Sequence, residues 1–241
     1  MGAHMSQVPW HVCVLVPARN EENLLPRCLT SILASCAKLP SDVTYDIVVA
    51  VDRSTDQTFQ IAQTFLRNRG QVVRTEVGAV GFARAMAAET ALERNSRPLQ
   101  RCWLANTDAD CSVPEAWLVD QLALADAGVE ALAGTVDVDC FSDFRPGVAA
   151  LFRSTYIIHA DDSHPHVHGA NLGIRADAYL RAGGWASLRT AEDHDLWNRL
   201  VKNGAQHASI GRMKVFTSGR RQGRAPFGFA SALEAHNEAL V

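Results

Sequence analysis

Three short polar segments stand out in this 241-residue chain: Pro17-Ala18-Arg19-Asn20-Glu21-Glu22, Asp52-Arg53-Ser54-Thr55-Asp56 and Asn106-Thr107-Asp108-Ala109-Asp110. The third has a clear chemical use. A turn that brings Asp108 and Asp110 together offers hard oxygen ligands of the kind Mg²⁺ and Mn²⁺ take, and such a cation neutralises phosphate oxygens and a departing diphosphate. Alone, an Asp-x-Asp pair says little, because turns are rich in aspartate. Asp52 to Asp56 alone fits a helix cap as well as a site. Further along, Glu192-Asp193 is either a pair of working carboxylates or acidic residues favoured in a helix's first turn. His164, His166 and His168 alternate, so on an extended segment they share one face, as a zinc site would want. A loop beside a binding pocket is the preferred reading of that stretch. Arg220, Arg221 and Arg224, flanked by Gly219 and Gly223, form a basic run whose guanidinium forks suit diphosphate oxygens; a solvated face is the ordinary alternative.

The elements that must position these residues alternate in the first half. Apolar, β-branched runs at 11–16, 46–51, 71–75 and 101–105 read as strands. Helical spacing of apolar residues marks 21–35, 55–68 and 82–94. Such alternation predicts a mainly parallel sheet covered on both faces, with ligands outside the carboxyl ends of its strands. The three polar segments follow three of those strands. The second half is less regular, with strands expected at 131–138 and 213–217, helices at 146–159 and 192–203, and an extended segment at 167–174. With no linker or repeat, residues 6–241 read as one domain, and Met1-Gly2-Ala3-His4-Met5 as the remnant of an expression tag.

Composition sets bounds on the rest. Apolar residues at 47% and charged residues at 20% are ordinary for a soluble globular protein. A net charge of −3 gives no basis for nucleic-acid binding. No apolar run approaches the roughly 18 residues of a membrane span, and no secretory signal is evident. The six cysteines lack a Cys-x-x-Cys pair and read as thiols in a reducing compartment. The expected location is cytoplasmic, with peripheral membrane attachment left open.

The strings VLVPARNEE (14–22), VAVDRSTDQT (49–58) and NTDADC (106–111) resemble those of family 2 glycosyltransferases with the GT-A fold. GANLGIRADAYLRAGGW (169–185), AEDHDLWNRL (191–200) and GRRQGR (219–224) continue in the family's order, so the likeness covers roughly residues 10–225. The resemblance implies an α/β fold of GT-A type: a mainly parallel nucleotide-binding sheet flanked by helices over about 10–110, and a less regular acceptor-side half over about 111–225. It implies a nucleotide-diphosphate sugar as donor, Mg²⁺ or Mn²⁺ as cofactor, and an acceptor of unspecified kind (small molecule, lipid or glycan).

The resemblance also assigns roles. Pro17, Arg19 and Glu21 match positions that hold base and ribose; Asp52 matches the acidic residue on the base, and Asp56 its loop partner. Gly81 and Arg84 match a segment near the nucleotide. Asp108 and Asp110 match the metal and donor ligands, with His168 a further candidate ligand. Gly169, Asn171 and Glu192 fall on the acceptor side, and Arg220 and Arg221 on the diphosphate. Asp193 matches the catalytic base of inverting members, where accepting the acceptor hydroxyl's proton is worth about 10²–10⁴-fold. Two other readings compete. A nucleotidyltransferase would carry a glycine-rich, basic loop after the first strand, which Pro17-Ala18-Arg19-Asn20 does not resemble. A non-catalytic nucleotide-sugar-binding module would be expected to lack Asp108, Asp110 or Asp193, and all three are present. A dinucleotide-dependent dehydrogenase is weaker still, since no Gly-x-Gly-x-x-Gly follows a strand.

Overall fold

A computed structural model describes residues 8–224 and 228–240; the presumed tag remnant lies outside the described residues. In the first half the expected alternation is present: β1 (His11–Ala18), α1 (Leu25–Cys36), β2 (Thr44–Asp52), α2 (Thr58–Leu66), β3 (Gly70–Thr75), α3 (Val80–Arg94) and β4 (Cys102–Asn106). Then come α4 (Trp117–Asp126), β5 (Ala131–Val138), α5 (Val148–Thr155), β6 (Leu172–Arg175), α6 (Ala176–Arg181), α7 (Glu192–Lys202), β7 (His207–Thr217) and α8 (Phe229–Glu238). Helices α4, α6 and α8 have no counterpart in the sequence reading. The helix expected from residue 21 starts at Leu25, because Glu21 and Glu22 belong to the loop. The extended segment expected at 167–174 is interrupted by a single turn at Gly169–Asn171 and becomes strand only from Leu172. The strand expected at 213–217 begins earlier and pairs with β5 across an irregularity between Gly134 and Thr135.

One seven-stranded sheet, in the order β3-β2-β1-β4-β6-β5-β7, carries both halves. β2 and β4 flank β1 in parallel, β3 is parallel to β2, and β7 is parallel to β5. β6 runs antiparallel to both β4 and β5. The carboxyl ends of β1, β2, β3, β4, β5 and β7 therefore share one edge, and β6 brings its amino end, preceded by the turn Gly169–Asn171, to that same edge.

Strand alternation divides the core between the two faces. Val12, Val14 and Val16 pack with Leu29 and Ile32 of α1 and Leu118 of α4, while Cys13 and Leu15 pack with α3, α6 and α7. Burial on both sides is why these strands read as unbroken apolar runs. Ala83, Ala87, Ala88 and Ala91 form the buried stripe of α3, small enough to bring that helix close to β1 and β2. A third cluster joins α5 and α8 through Phe152, Val148, Leu233 and Phe229.

Candidate active site

The loops at the shared edge enclose a cavity of about 210 Å³. Of the residues singled out in the sequence, Pro17, Arg19, Glu21, Asp52, Asp108, Asp110 and Arg220 line it. The first two loops are laced together. Asn20 N–H donates to Ser54 Oγ (3.0 Å), Thr55 N–H to Asn20 Oδ1 (2.8 Å), and Glu21 N–H to Thr58 Oγ1 (2.8 Å). Asn20, Arg53 and Ala191 hold positive φ angles of 52°, 47° and 59°. Such non-glycine conformations persist where surrounding structure enforces them, often at functional sites.

The Asp-x-Asp turn is fixed by backbone and by α1. Thr107 N–H donates to Leu15 O (3.2 Å), extending the β-ladder, and Cys111 N–H closes back on Asp108 O (3.0 Å). Arg27 Nη2 donates to Asp110 O (2.8 Å) and Cys28 Sγ to Asp108 O (3.3 Å). Ser112 bridges Phe216, which ties the turn to the end of β7. Neither Arg27 nor Cys28 was legible as part of a site, because both sit in an otherwise ordinary amphipathic helix.

Each carboxylate of the turn faces an arginine. Arg84, fully buried on α3, reaches Asp108 Oδ1 through Nη2 (2.6 Å) and Glu192 Oε1 through Nε (3.1 Å). Arg220 reaches Asp110 Oδ2 through Nη2 (2.8 Å) and Glu21 Oε1 through Nη1 (2.6 Å). Burial pushes Glu21, Asp108 and Glu192 above the usual carboxylate range, with Arg220 opposing at Glu21 and Arg84 opposing at the other two. Asp193 is oriented by two backbone donors: Gly169 N–H on Oδ2 (2.9 Å) and His194 N–H on Oδ1 (2.8 Å). Gly169 lies directly over Arg84, whose Nη2 an added Cβ would overlap.

Other expected site residues have different surroundings. Asp56 Oδ1 accepts from Thr58 N–H (3.0 Å) and Oδ2 from Glu22 N–H (3.1 Å), so it caps the start of α2 and ties the first loop to the second. Gly81 does not line the cavity; it is pressed against Ala186 and Leu188, and a Cβ there would collide with their backbone. Asn171 is spent on structure, donating to Thr135 O (2.9 Å) and Met213 O (2.8 Å) and accepting from Trp117 Nε1 (2.9 Å). Arg221 points away from the cavity and pairs with Glu234 on α8 (2.5 Å). Conversely, Arg189, Ser218 and Phe229 line the cavity without having been singled out. Ser218 Oγ donates to Asp110 Oδ2 (3.0 Å), and its place right after a strand end was the one signal available.

Among the described residues, the group that could hold a metal ion is Asp108, Asp110 and Cys111, with ligand atoms within 4.8 Å of one another. The two carboxylates fit a hard divalent cation. Burial pushes the Cys111 thiol well up, so it stays protonated, and Sγ lies 3.7 Å from Asp110 Oδ1 as a donor. His168 is not in this group. Its ring stacks with those of Tyr156 and His166, and its Nε2 lies 2.8 Å from Tyr156 Oη. Tyr156 Oη also accepts from Val136 N–H (3.1 Å), which ties the Tyr156–His168 pair to β5 rather than to the Asp-x-Asp turn. All six cysteines are free thiols.

Burial lowers the His168 pKa from the ordinary 6.5 to about 4. Between those values the unfolded chain binds a proton that the folded chain does not, so stability is full above pH 6.5 and declines as pH falls toward 4. The melting temperature is expected to drop over that window, and to drop less steeply in His168→Gln; equal slopes in the two proteins would show that His168 does not contribute.

The nearly parallel sheet, with an Asp-x-Asp turn and a second carboxylate group at its carboxyl edge, defines an α/β fold of GT-A type. The model of glycosyl transferase family 2 matches residues 13–183, and the chain belongs to that family. Its fold is similar to that of S. aureus TarS 1-349 in complex with UDP-GlcNAc, at 17% identity and a TM-score of 0.66 over 91% of this chain and 61% of that one. It is also similar to the mannosyltransferase PcManGT from Pyrobaculum calidifontis in complex with GDP-Man and Mn²⁺, at 20% identity and a TM-score of 0.65 over 94% of this chain and 68% of that one. The chain thus spans about three-fifths of the TarS structure's length. No curated protein sequence matches it. Among the described residues, no helix is long and apolar enough to cross a membrane.

Proposed function

We propose that the chain is a metal-dependent glycosyltransferase that moves a sugar from a nucleotide-diphosphate donor to an acceptor hydroxyl, with inversion. The observation that carries this reading is the linkage made by Arg84, which joins Asp108 of the Asp-x-Asp turn to Glu192, next in sequence to Asp193. A metal-side carboxylate is thereby joined to the start of α7, where Asp193 is oriented by the Gly169 and His194 N–H groups.

Pro17, Arg19 and Asp52 border the part of the cavity suited to base and ribose. Asp108 and Asp110 would hold Mg²⁺ or Mn²⁺, which when bound supplies charge neutralisation for the leaving diphosphate. Arg220 adds a guanidinium donor on the same side. Asp193, held by Gly169 and His194, takes the proton of the acceptor hydroxyl as its oxygen bonds to the anomeric carbon; the sugar–phosphate bond breaks and its electron pair leaves with the diphosphate. Glu192 is engaged by Arg84, so of the two adjacent acids Asp193 is the one available as base. A soluble, cytoplasmic setting fits the free cysteines.

Thermal-shift measurements with UDP-GlcNAc and GDP-Man, with and without Mn²⁺, test the reading. A ligand at about a hundred times its dissociation constant adds roughly 2.7 kcal/mol to the folded state. A nucleotide sugar is expected to raise the melting temperature with Mn²⁺ and to do so less in EDTA. No shift by either nucleotide sugar under any metal condition would count against the proposal.

A further inference from the structure

Arg220 occupies an unusual position for a diphosphate-binding residue. Its guanidinium bridges two almost fully buried carboxylates, with Nη1 on Glu21 Oε1 (2.6 Å) and Nη2 on Asp110 Oδ2 (2.8 Å). Ser218 Oγ donates to the same Asp110 oxygen (3.0 Å), and Arg224 Nε lies 3.6 Å from the same Glu21 oxygen. Arg224 Nη2 also donates to Asn20 O (2.8 Å). The segment is seated closely as well: Gly219 N–H donates to Asp139 Oδ1 (3.2 Å), and a Cβ on Gly219 would overlap Cys140 O. The segment after β7 thus lies across the cavity with one of its own cations inside the acidic cage.

Building on the metal-dependent reading above, we infer that Arg220 and the divalent cation are alternative partners of Asp110, exchanged when the diphosphate arrives. A divalent ion seated at Asp108 and Asp110 brings a second positive charge against the guanidinium already on Asp110 Oδ2, and repulsion at such range drives Arg220 off that oxygen. Arg220 then keeps Glu21 alone, and losing one of its two ion pairs in a buried setting is costly, so the ion alone meets an opposing term. A diphosphate removes that term by offering Arg220 new anionic oxygens, to which guanidinium binds in bidentate fashion, while its remaining oxygens join the metal. Cation and nucleotide diphosphate therefore bind cooperatively. By linkage the coupling is reciprocal, and couplings of this kind typically amount to about 5–150-fold. Arg84 takes no part in the exchange, since its partners are Asp108 and Glu192.

Mn²⁺ binding followed by electron paramagnetic resonance, with Mn²⁺ alone and with UDP or GDP added, tests this without recourse to turnover. Wild type is expected to bind Mn²⁺ weakly alone and at least about fivefold more tightly with one of the nucleotides. In Arg220→Gln, which keeps amide donors but no charge, Mn²⁺ alone should bind about tenfold more tightly than in wild type, and the gain on adding nucleotide should largely vanish. Arg220→Lys keeps the charge on a single point and should fall between the two. Mn²⁺ affinity that is unchanged or weaker in Arg220→Gln, in a protein whose circular dichroism matches wild type, overturns the exchange while leaving the metal-dependent function standing. No Mn²⁺ binding by wild type even with UDP or GDP overturns both.

Discussion

Asp193→Asn should lower the rate of glycosyl transfer by about 10²–10⁴-fold, the usual worth of a positioned general base. Asparagine keeps the size of the side chain but cannot take a proton, and its amide can accept from only one of the two N–H groups, Gly169 and His194, that Asp193 satisfies. The effect belongs in turnover rather than in donor binding, because Asp193 does not line the nucleotide-side cavity. A fall in kcat with the donor KM little changed is the signature of an interaction made in the transition state. Configuration of the product, read by NMR, supplies an independent check. A retained anomeric configuration, or near-normal turnover in the variant, would remove Asp193 from the role of base in a direct displacement.

Asp110→Ala should abolish metal-dependent binding of the nucleoside diphosphate and reduce turnover by at least about 10²-fold, since Lewis-acid stabilisation of developing charge is worth several kcal/mol and each 1.36 kcal/mol is tenfold. The fold should survive, because Arg220 retains Glu21 as a partner and the turn's backbone is held by Arg27, Cys28 and Cys111. Full activity of wild type in EDTA, or of the variant in Mn²⁺, would refute a metal at this turn.

The polar segments after β1, β2 and β4 were readable as converging because convergence follows from local pattern alone. Val12 to Val16, Ile47 to Val51 and Cys102 to Ala105 are buried on both faces, and strands joined through helices run parallel, so their carboxyl ends share an edge. For the His164–His168 stretch, alternation placed the rings on one side, but Tyr156, which lies against Nε2 of His168, is not within that pattern. Helix α8 lay beyond the last motif, and it packs against α5 through Phe152 and Leu233.

Adjacent residues with the same side chain show where local reading ends. Arg220 and Arg221 carry identical chemistry in sequence, yet one enters the cage of Glu21 and Asp110 and the other pairs with Glu234 on the outside. Asn171 sits in a motif that suggests a substrate contact, yet Thr135, Met213 and Trp117 use all of its polar capacity that the fold engages. Strand and helix periods, turn residues and the order of motifs depend on neighbours a few positions apart, and from these the sheet, the edge where its polar loops gather and the Asp-x-Asp turn could be read directly, whereas Asp193 was singled out only through the family resemblance. Which guanidinium meets which carboxylate depends on partners far along the chain, with Arg84 and Glu192 separated by 108 residues and Arg220 and Glu21 by 199. Such pairings are set by how the packed layers bring distant loops together, and no local period encodes them.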